Sequence, residues 1–188
     1  AAKIGVHEVT VHPPHHTMKK EKDFSLRKTR ESLSTVLEYA QQSDIALSLE
    51  IMEKLPREII TNDRELKAVL QDLYPKFHYT VDVAHCDCEK EIFSLLSNID
   101  NVSKMHISNR RGKKLHTVLN DGDYSFKKLL PKLLAYELPL VLEGMGNSME
   151  TSPLDEELRY IDRIIEKVSH TDAAADGTSL LSCVNAGI

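Results

Sequence analysis

What most constrains this chain is its rhythm: short β-rich runs and longer segments of helical spacing take turns along nearly all of it. HEVTVH (7–12) alternates apolar and polar residues and stops at Pro13-Pro14. From about Phe24 to Gln42, Leu26, Leu33, Val36, Leu37 and Ala40 recur at the spacing of one helix face. IALSLEIM (45–52) reads as a second strand, and Asn62 is placed to cap a helix carrying Leu66, Val69, Leu70 and Leu73. FHYTVDVAH is the third strand, with a short helix from Glu89 to Leu96 behind it, and VSKMHIS (102–108) is the fourth. NRRGKKLHTVLNDGD reads as a long polar loop with a very short strand near Leu115–Leu119. Phe126 to Tyr136 shows an apolar stripe of Leu129, Leu130, Leu133 and Leu134, and LPLVLEG (138–144) is the last clear strand. A final helix starts at Ser152-Pro153, with Asp155 placed for a capping box and Leu158, Ile161, Ile165 and Val168 as its buried face. Strict alternation of this kind implies parallel strands joined by crossover helices.

The totals narrow the function. A chain of 188 residues can bury one real core, so one domain is expected, with the small-residue tail from His170 lying at its periphery. The formal charge is −5, acids outnumbering bases 29 to 24, which is the wrong balance for general binding to nucleic-acid phosphates. No stretch approaches the roughly 18–20 apolar residues of a membrane span, and no signal peptide is visible in a sequence that starts at Ala1. Cys86, Cys88 and Cys183 are an odd number with no C-x-x-C pair, which points to a reduced, cytoplasmic setting.

Against this frame, the strand ends stand out. The second strand closes on Glu50, the third on Asp82, the fourth on His106 and the last on Glu143, at separations of 32, 24 and 37 residues. A β/α unit takes about 30 residues, so these are positions on one sheet, the gap of 37 leaving room for a shortened extra strand. In a parallel barrel all strand C-termini share one face, and residues remote in sequence converge there. Ala46 and Ser48 precede Glu50 with the same parity, and Thr80 precedes Asp82; small or polar neighbours suit a row that faces a ligand pocket. A single carboxylate at a strand end is more often a solvated residue or a salt-bridge partner. Four in succession, with His12 ending the first strand as a fifth, point to a metal site. Oxygen ligands with one imidazole suit Mn²⁺, Mg²⁺, Co²⁺ or Zn²⁺.

VTVHPP, SLSTVLEYAQQSDIALSLE, YTVDVAH, KMHIS followed by LHTVLNDGDYSF, and LPLVLEG together resemble the xylose isomerase-like TIM barrels, over about residues 4–168. That superfamily contains sugar isomerases, sugar epimerases and endonuclease IV. The resemblance implies a (β/α)8 barrel domain over residues 1–169, in which the strand ending at Glu50 corresponds to the fourth of eight and the first two strands have no counterpart. It implies that Glu50, Asp82, His106 and Glu143 hold one divalent metal ion, with Glu50 and Glu143 also carrying protons on opposite faces of the substrate. His12, His85, Arg110 (or Arg111) and His116 are then expected to contact substrate.

The function expected on this basis is a metal-dependent isomerase or epimerase of a sugar or sugar phosphate, working through a stabilised enediolate. It would act as a soluble protein on a small molecule, without a membrane partner and with the option of a homo-oligomer. The second reading is an endonuclease IV-like enzyme that cuts abasic DNA with zinc. His12, His85 and His116 match three of its extra ligand positions, while Lys114 stands where a further aspartate belongs. The third reading is a non-catalytic binder of metal or sugar.

Overall fold

A computed structural model describes residues 1–16, 22–144 and 152–173. They form β1 (Glu8–Val11), α1 (Lys22–Gln41), β2 (Ala46–Ile51), α2 (Asp63–Leu70), β3 (His78–Asp82), α3 (Glu89–Asn98), β4 (Val102–Ile107), β5 (Asn109–Arg111), β6 (Lys114–Thr117), α4 (Phe126–Leu134), β7 (Leu140–Leu142) and α5 (Ser152–Ala173). Two compact units emerge: one runs from Ala1 to Tyr124 and takes in β7, while the other holds α4 and α5. No helix of the described residues is long and apolar enough to cross a membrane.

The first unit carries a five-stranded parallel sheet in the order β1-β2-β3-β4-β7, the architecture of a partial TIM barrel. Its strands divide their side chains by parity, as the pleat requires. Leu47, Leu49 and Ile51 of β2, Tyr79 and Val81 of β3, and Met105 and Ile107 of β4 are buried. These apolar residues form a core with the buried faces of α1, α2 and α3, which include Leu33, Leu37, Leu66, Leu70, Ile92 and Leu95. Val36, which the spacing places on the α1 stripe, is 45% exposed; buried Thr29 continues the row of Leu33, Leu37 and Ala40 instead. Asn62 caps α2 as expected, its side chain accepting from the Glu65 amide at 3.0 Å. Glu65 returns the bond to Thr61, completing a capping arrangement.

The opposite parity is polar: Glu8 and Thr10, Ser48 and Glu50, Thr80 and Asp82, Lys104 and His106. This face is concave. Lys104 Nζ on β4 donates to Thr10 Oγ1 on β1 at 3.0 Å and pairs with Glu8. In a flat sheet those strands, three spacings apart, would lie about 14 Å from each other, so the sheet curls to bring them within one side chain's reach. A bulge contributes. Tyr79 pairs with Val102 and Thr80 with Lys104, which leaves Ser103 as the extra residue. Ser103 therefore faces inward beside Lys104 and bonds Glu8 and Ser48.

Where a polar loop with a short strand at Leu115–Leu119 is expected, the chain instead forms the antiparallel hairpin β5–β6, turning at Gly112 with φ 57°. The buried Asn109 holds it. Its Nδ2 donates to the carbonyls of Leu119 and Tyr124, and its Oδ1 accepts from the amides of Arg110 and Tyr124. Gly122 lies so close that an added Cβ would sit 2.4 Å from the Arg110 carbonyl oxygen.

In the second unit α4 and α5 pack against each other. Of the residues expected on the buried face of α5, Ile161, Ile165 and Val168 are half-buried and Leu158 is 45% exposed; Ile164, beside them, is buried. The cap expected at the start of α5 involves side chains outside the described residues. Of the expected tail, 170–173 continue α5, and the remainder lies outside the described residues.

Candidate metal centre

Register delivers the site. Asp82 is paired with His106 across β3 and β4, and His106 with Val141 across β4 and β7. Beyond the last pairs, Val83 N donates to the His106 carbonyl at 3.0 Å and Glu143 N to the Ile107 carbonyl at 3.1 Å. The ladder thus runs on past the strand ends and fixes the backbones of Asp82 and Glu143. Glu50 is fully buried at the end of β2, and Asp82 is 1% exposed.

One ligand atom from each of Glu50, Asp82, His106 and Glu143 lies within 4.8 Å of the others. Asp82 is aimed by its own turn: Oδ1 accepts from the Ala84 amide at 2.6 Å and the His85 amide at 3.3 Å, which frees Oδ2 for the cluster. Glu50 Oε1, Asp82 Oδ2, His106 Nδ1 and Glu143 Oε2 are buried with no hydrogen-bond partner among the described residues. Buried polar atoms normally have partners, and four such atoms in one cluster fit a divalent cation, which would satisfy all of them. The donor set of three carboxylates and an imidazole also suits its charge.

The electrostatics carry the same strain. Burial pushes the Asp82 carboxyl well up from its usual range, and the neighbouring Glu143 and Glu50 add to the push. His106 holds the Glu143 carboxyl down at about 2, against the effect of burial. Burial alone would lower the His106 imidazole, but Glu143 and Glu50 outweigh it and raise it to about 9.

The histidines expected to touch substrate lie around this cluster. His12 Nε2 is 3.1 Å from Glu50 Oε2, with its side chain more than half exposed. His85 Nδ1 is 2.9 Å from the Ile51 carbonyl, a pure acceptor, so Nδ1 carries the proton. His116 has φ 56°, an uncommon conformation for a residue with a side chain, and its Nδ1 is 3.1 Å from Ser108 Oγ. Burial is the main reason its imidazole is lowered. The rings of His85 and His116 meet edge to face at 5.4 Å, and together with Asp82 they form a second group of close ligand atoms. Asp82 belongs to both groups.

Arg110 is directed elsewhere. Its guanidinium donates to the Cys86 carbonyl at 2.5 Å, to Asp87 at 3.0 Å and to the Gly112 carbonyl, binding the loop after β3 to the β5–β6 hairpin. Arg111 pairs with Asp121. Two site-facing residues escape sequence reasoning. Ser108 carries no signal beyond its place two residues after His106. Glu53 lies in the irregular loop after β2, where no periodicity tells which way a side chain points; its Oε2 is buried without a hydrogen-bond partner among the described residues.

The family model for xylose isomerase-like TIM barrels matches residues 1–164. No curated protein matches the sequence. Among solved structures, a D-tagatose 3-epimerase-like protein superposes with a TM-score of 0.77 at 17% identity, over 92% of this chain and 67% of its own. The apo 3-keto-D-glucoside 4-epimerase from E. coli gives 0.65 at 16% identity, over 86% and 66%. A Thermus thermophilus protein soaked with zinc chloride, TTHB071, gives 0.63 at 18% identity, over 89% and 64%. At these identities the likeness is one of fold, and the chain spans about two thirds of the length of each.

Proposed function

This chain belongs to the xylose isomerase-like TIM barrel family, and from that premise we propose that it is a divalent-cation-dependent isomerase or epimerase of a sugar or sugar phosphate. One observation carries the reading: Glu50, Asp82, His106 and Glu143 bring together, within 4.8 Å of one another, four donor atoms that are buried and without hydrogen-bond partners among the described residues. Epimerase structures among its fold neighbours support the same class of substrate.

A cation held there would polarise a ketose carbonyl and its neighbouring hydroxyl, acidifying the adjacent C–H. The side chains supply the proton handling. Glu143 is ionised at neutral pH because His106 holds it low, so its other oxygen, Oε1, is the acceptor for a proton taken from carbon. Glu50 comes from β2, with β3 and β4 between it and β7, and so faces the substrate from the other side. It returns a proton either to the opposite face of the same carbon, giving the epimer, or to its neighbour, giving the isomer. His12, bonded to Glu50 Oε2 and open to solvent, lets that carboxylate exchange its proton. His85 and His116 bind substrate hydroxyls, and Arg110 positions the loop that carries His85. Free Cys86 and Cys88 suit a reducing cytoplasm.

The test is ketose incubation with Mn²⁺ in D₂O, followed by proton NMR. Loss of a substrate C–H signal, abolished in Glu143→Gln, is expected; no exchange with any ketose, in protein that binds the ion, overturns the enzymatic reading in favour of a non-catalytic binder. A zinc-dependent abasic-DNA endonuclease is the second reading, favoured by the Asp82, His85 and His116 group, which shares Asp82 with the first. Two or three bound zinc ions per chain and cleavage of an abasic duplex would select it.

A further inference from the structure

The carboxylate of Glu58 is fully buried, yet both side chains that it bonds are substantially exposed. Its Oε2 accepts from His15 Nδ1 at 3.0 Å and its Oε1 from Arg57 Nε at 3.1 Å. An exposed ion pair contributes little to stability, but a carboxylate withdrawn from water is costly unless it is paired. The loop that carries Glu58 is firmly set. Met52 N donates to the Ile60 carbonyl and Glu58 N to the Leu55 carbonyl, both at 3.0 Å, and Ile59 and Ile60 are buried. The loop after β1 meets this fixed point twice, since His16 N also donates to the Arg57 carbonyl at 2.7 Å.

What that loop carries is His12. The register that pairs Val11 with Leu49 sets His12 next to Glu50, and among the described residues its ring has one hydrogen bond, Nε2 to Glu50 Oε2 at 3.1 Å. More than half of the side chain is open to water, so that single bond competes with solvent. Pro13 and Pro14 lie between His12 and His15. Each proline fixes its own φ and restricts the residue before it. The backbone from His12 to Pro14 therefore has few conformations, and a hold on His15 is a hold on His12. We propose that Glu58 is a positioning residue that acts through His15 and the Pro13-Pro14 step to keep His12 on Glu50 Oε2. Glu50 Oε1, which has no hydrogen-bond partner among the described residues, is then left to the cation cluster. The pose of His12 follows from this geometry alone, while its effect on turnover rests on the isomerase reading above.

The experiment records imidazole proton–nitrogen NMR spectra of the full chain in chelator, then Mn²⁺ affinity by calorimetry and ketose C–H exchange in D₂O with Mn²⁺. His15→Ala removes the donor at an exposed position, and His15→Asn puts an amide nitrogen close to the place of Nδ1. In His15→Ala the His12 Nε2 resonance is expected to move to that of a solvent-exposed imidazole. Mn²⁺ affinity should stay within threefold of wild type while ketose exchange slows at least fivefold. His15→Asn should restore resonance and rate to within twofold, and in a His12→Ala background His15→Ala should slow exchange no further. In a Glu58→Met background, which fills the buried space without an acceptor, His15→Asn should restore nothing. An unmoved His12 resonance in His15→Ala overturns the inference, as does a loss that His15→Asn fails to restore or restores without Glu58. A lower melting temperature together with weakened Mn²⁺ binding in His15→Ala overturns it by assigning the contact a general structural role. A His12 resonance that responds as expected, in protein that exchanges no ketose, overturns the sugar reading and leaves this inference standing.

Discussion

His106 Nδ1 lies 2.6 Å from Glu143 Oε2 without the alignment of a hydrogen bond, and both residues belong to the four-residue cluster. The contact raises His106 to about 9, so without a cation the ring is protonated at neutral pH. A cation must displace that proton before it can use Nδ1. Affinity for Mn²⁺ should therefore rise with pH up to about 9, by about tenfold per unit for the His106 proton and more steeply where the raised Asp82 carboxyl also holds one. Glu143, held at about 2, should contribute no proton above pH 4. Calorimetric titration in buffers of differing ionisation enthalpy measures the proton release directly; no release at pH 7 would show that His106 is not a ligand.

Asp82→Asn should separate stability from binding. The amide keeps an oxygen for the Ala84 turn while removing a buried charge that burial and its neighbours disfavour. In chelator the variant should be more stable by about 1–2 kcal/mol. It should also lose at least ~100-fold in Mn²⁺ affinity, so that Mn²⁺ no longer raises its melting temperature.

Acid should act on the lower half of the concave face. Burial raises the Glu8 carboxyl, but bonds from His78, Lys104 and Ser103 outweigh it and hold the group below 4.5. A carboxyl lowered on folding contributes its full stabilisation above the unfolded value, and that contribution fades as pH falls through the folded one. Lys104→Met should cost about 1 kcal/mol at pH 7, since the pair is partly screened by water. The deficit should shrink by pH 3, and urea unfolding at the two pH values tests it.

Removing the Asn109 side chain should destabilise the hairpin more than any of these changes. Asn109→Ala removes the bonds that its side chain makes to the Leu119 and Tyr124 carbonyls and the Tyr124 amide, a loss of roughly 3 kcal/mol. Gly122→Ala should disturb the same place through its clash with the Arg110 carbonyl. Both should broaden the His116 resonances, because His116 sits on β6 of that hairpin.

The elements that could be read from the sequence were those written in period. Parity along IALSLE and YTVDVA marks which residues face inward, and the β/α spacing of Glu50, Asp82, His106 and Glu143 anticipates their convergence. Cross-chain geometry stayed hidden. Nothing local shows that Lys104 reaches Thr10, that a bulge turns Ser103 inward, or that Arg110 serves the loop after β3. The hairpin escaped because Lys114–Thr117 holds a single apolar residue, Leu115, and because Asn109 holds it through bonds to Leu119 and Tyr124 that no local pattern shows. On α5, the close spacing of Ile161, Ile164 and Ile165 left the centre of the stripe ambiguous; packing puts Ile164 deepest, with Ile161 and Ile165 half-buried beside it.

The four clustered donors come from four strands spread over 94 residues, from Glu50 to Glu143 counted inclusively. A folding intermediate with only β2 and β3 paired would present two of them and grip an ion weakly. Full affinity would exist only after β7 has joined β4, late in the reaction. A bound cation should therefore slow unfolding while leaving the refolding rate nearly untouched, acting as a latch on the finished structure and not as a nucleus for it.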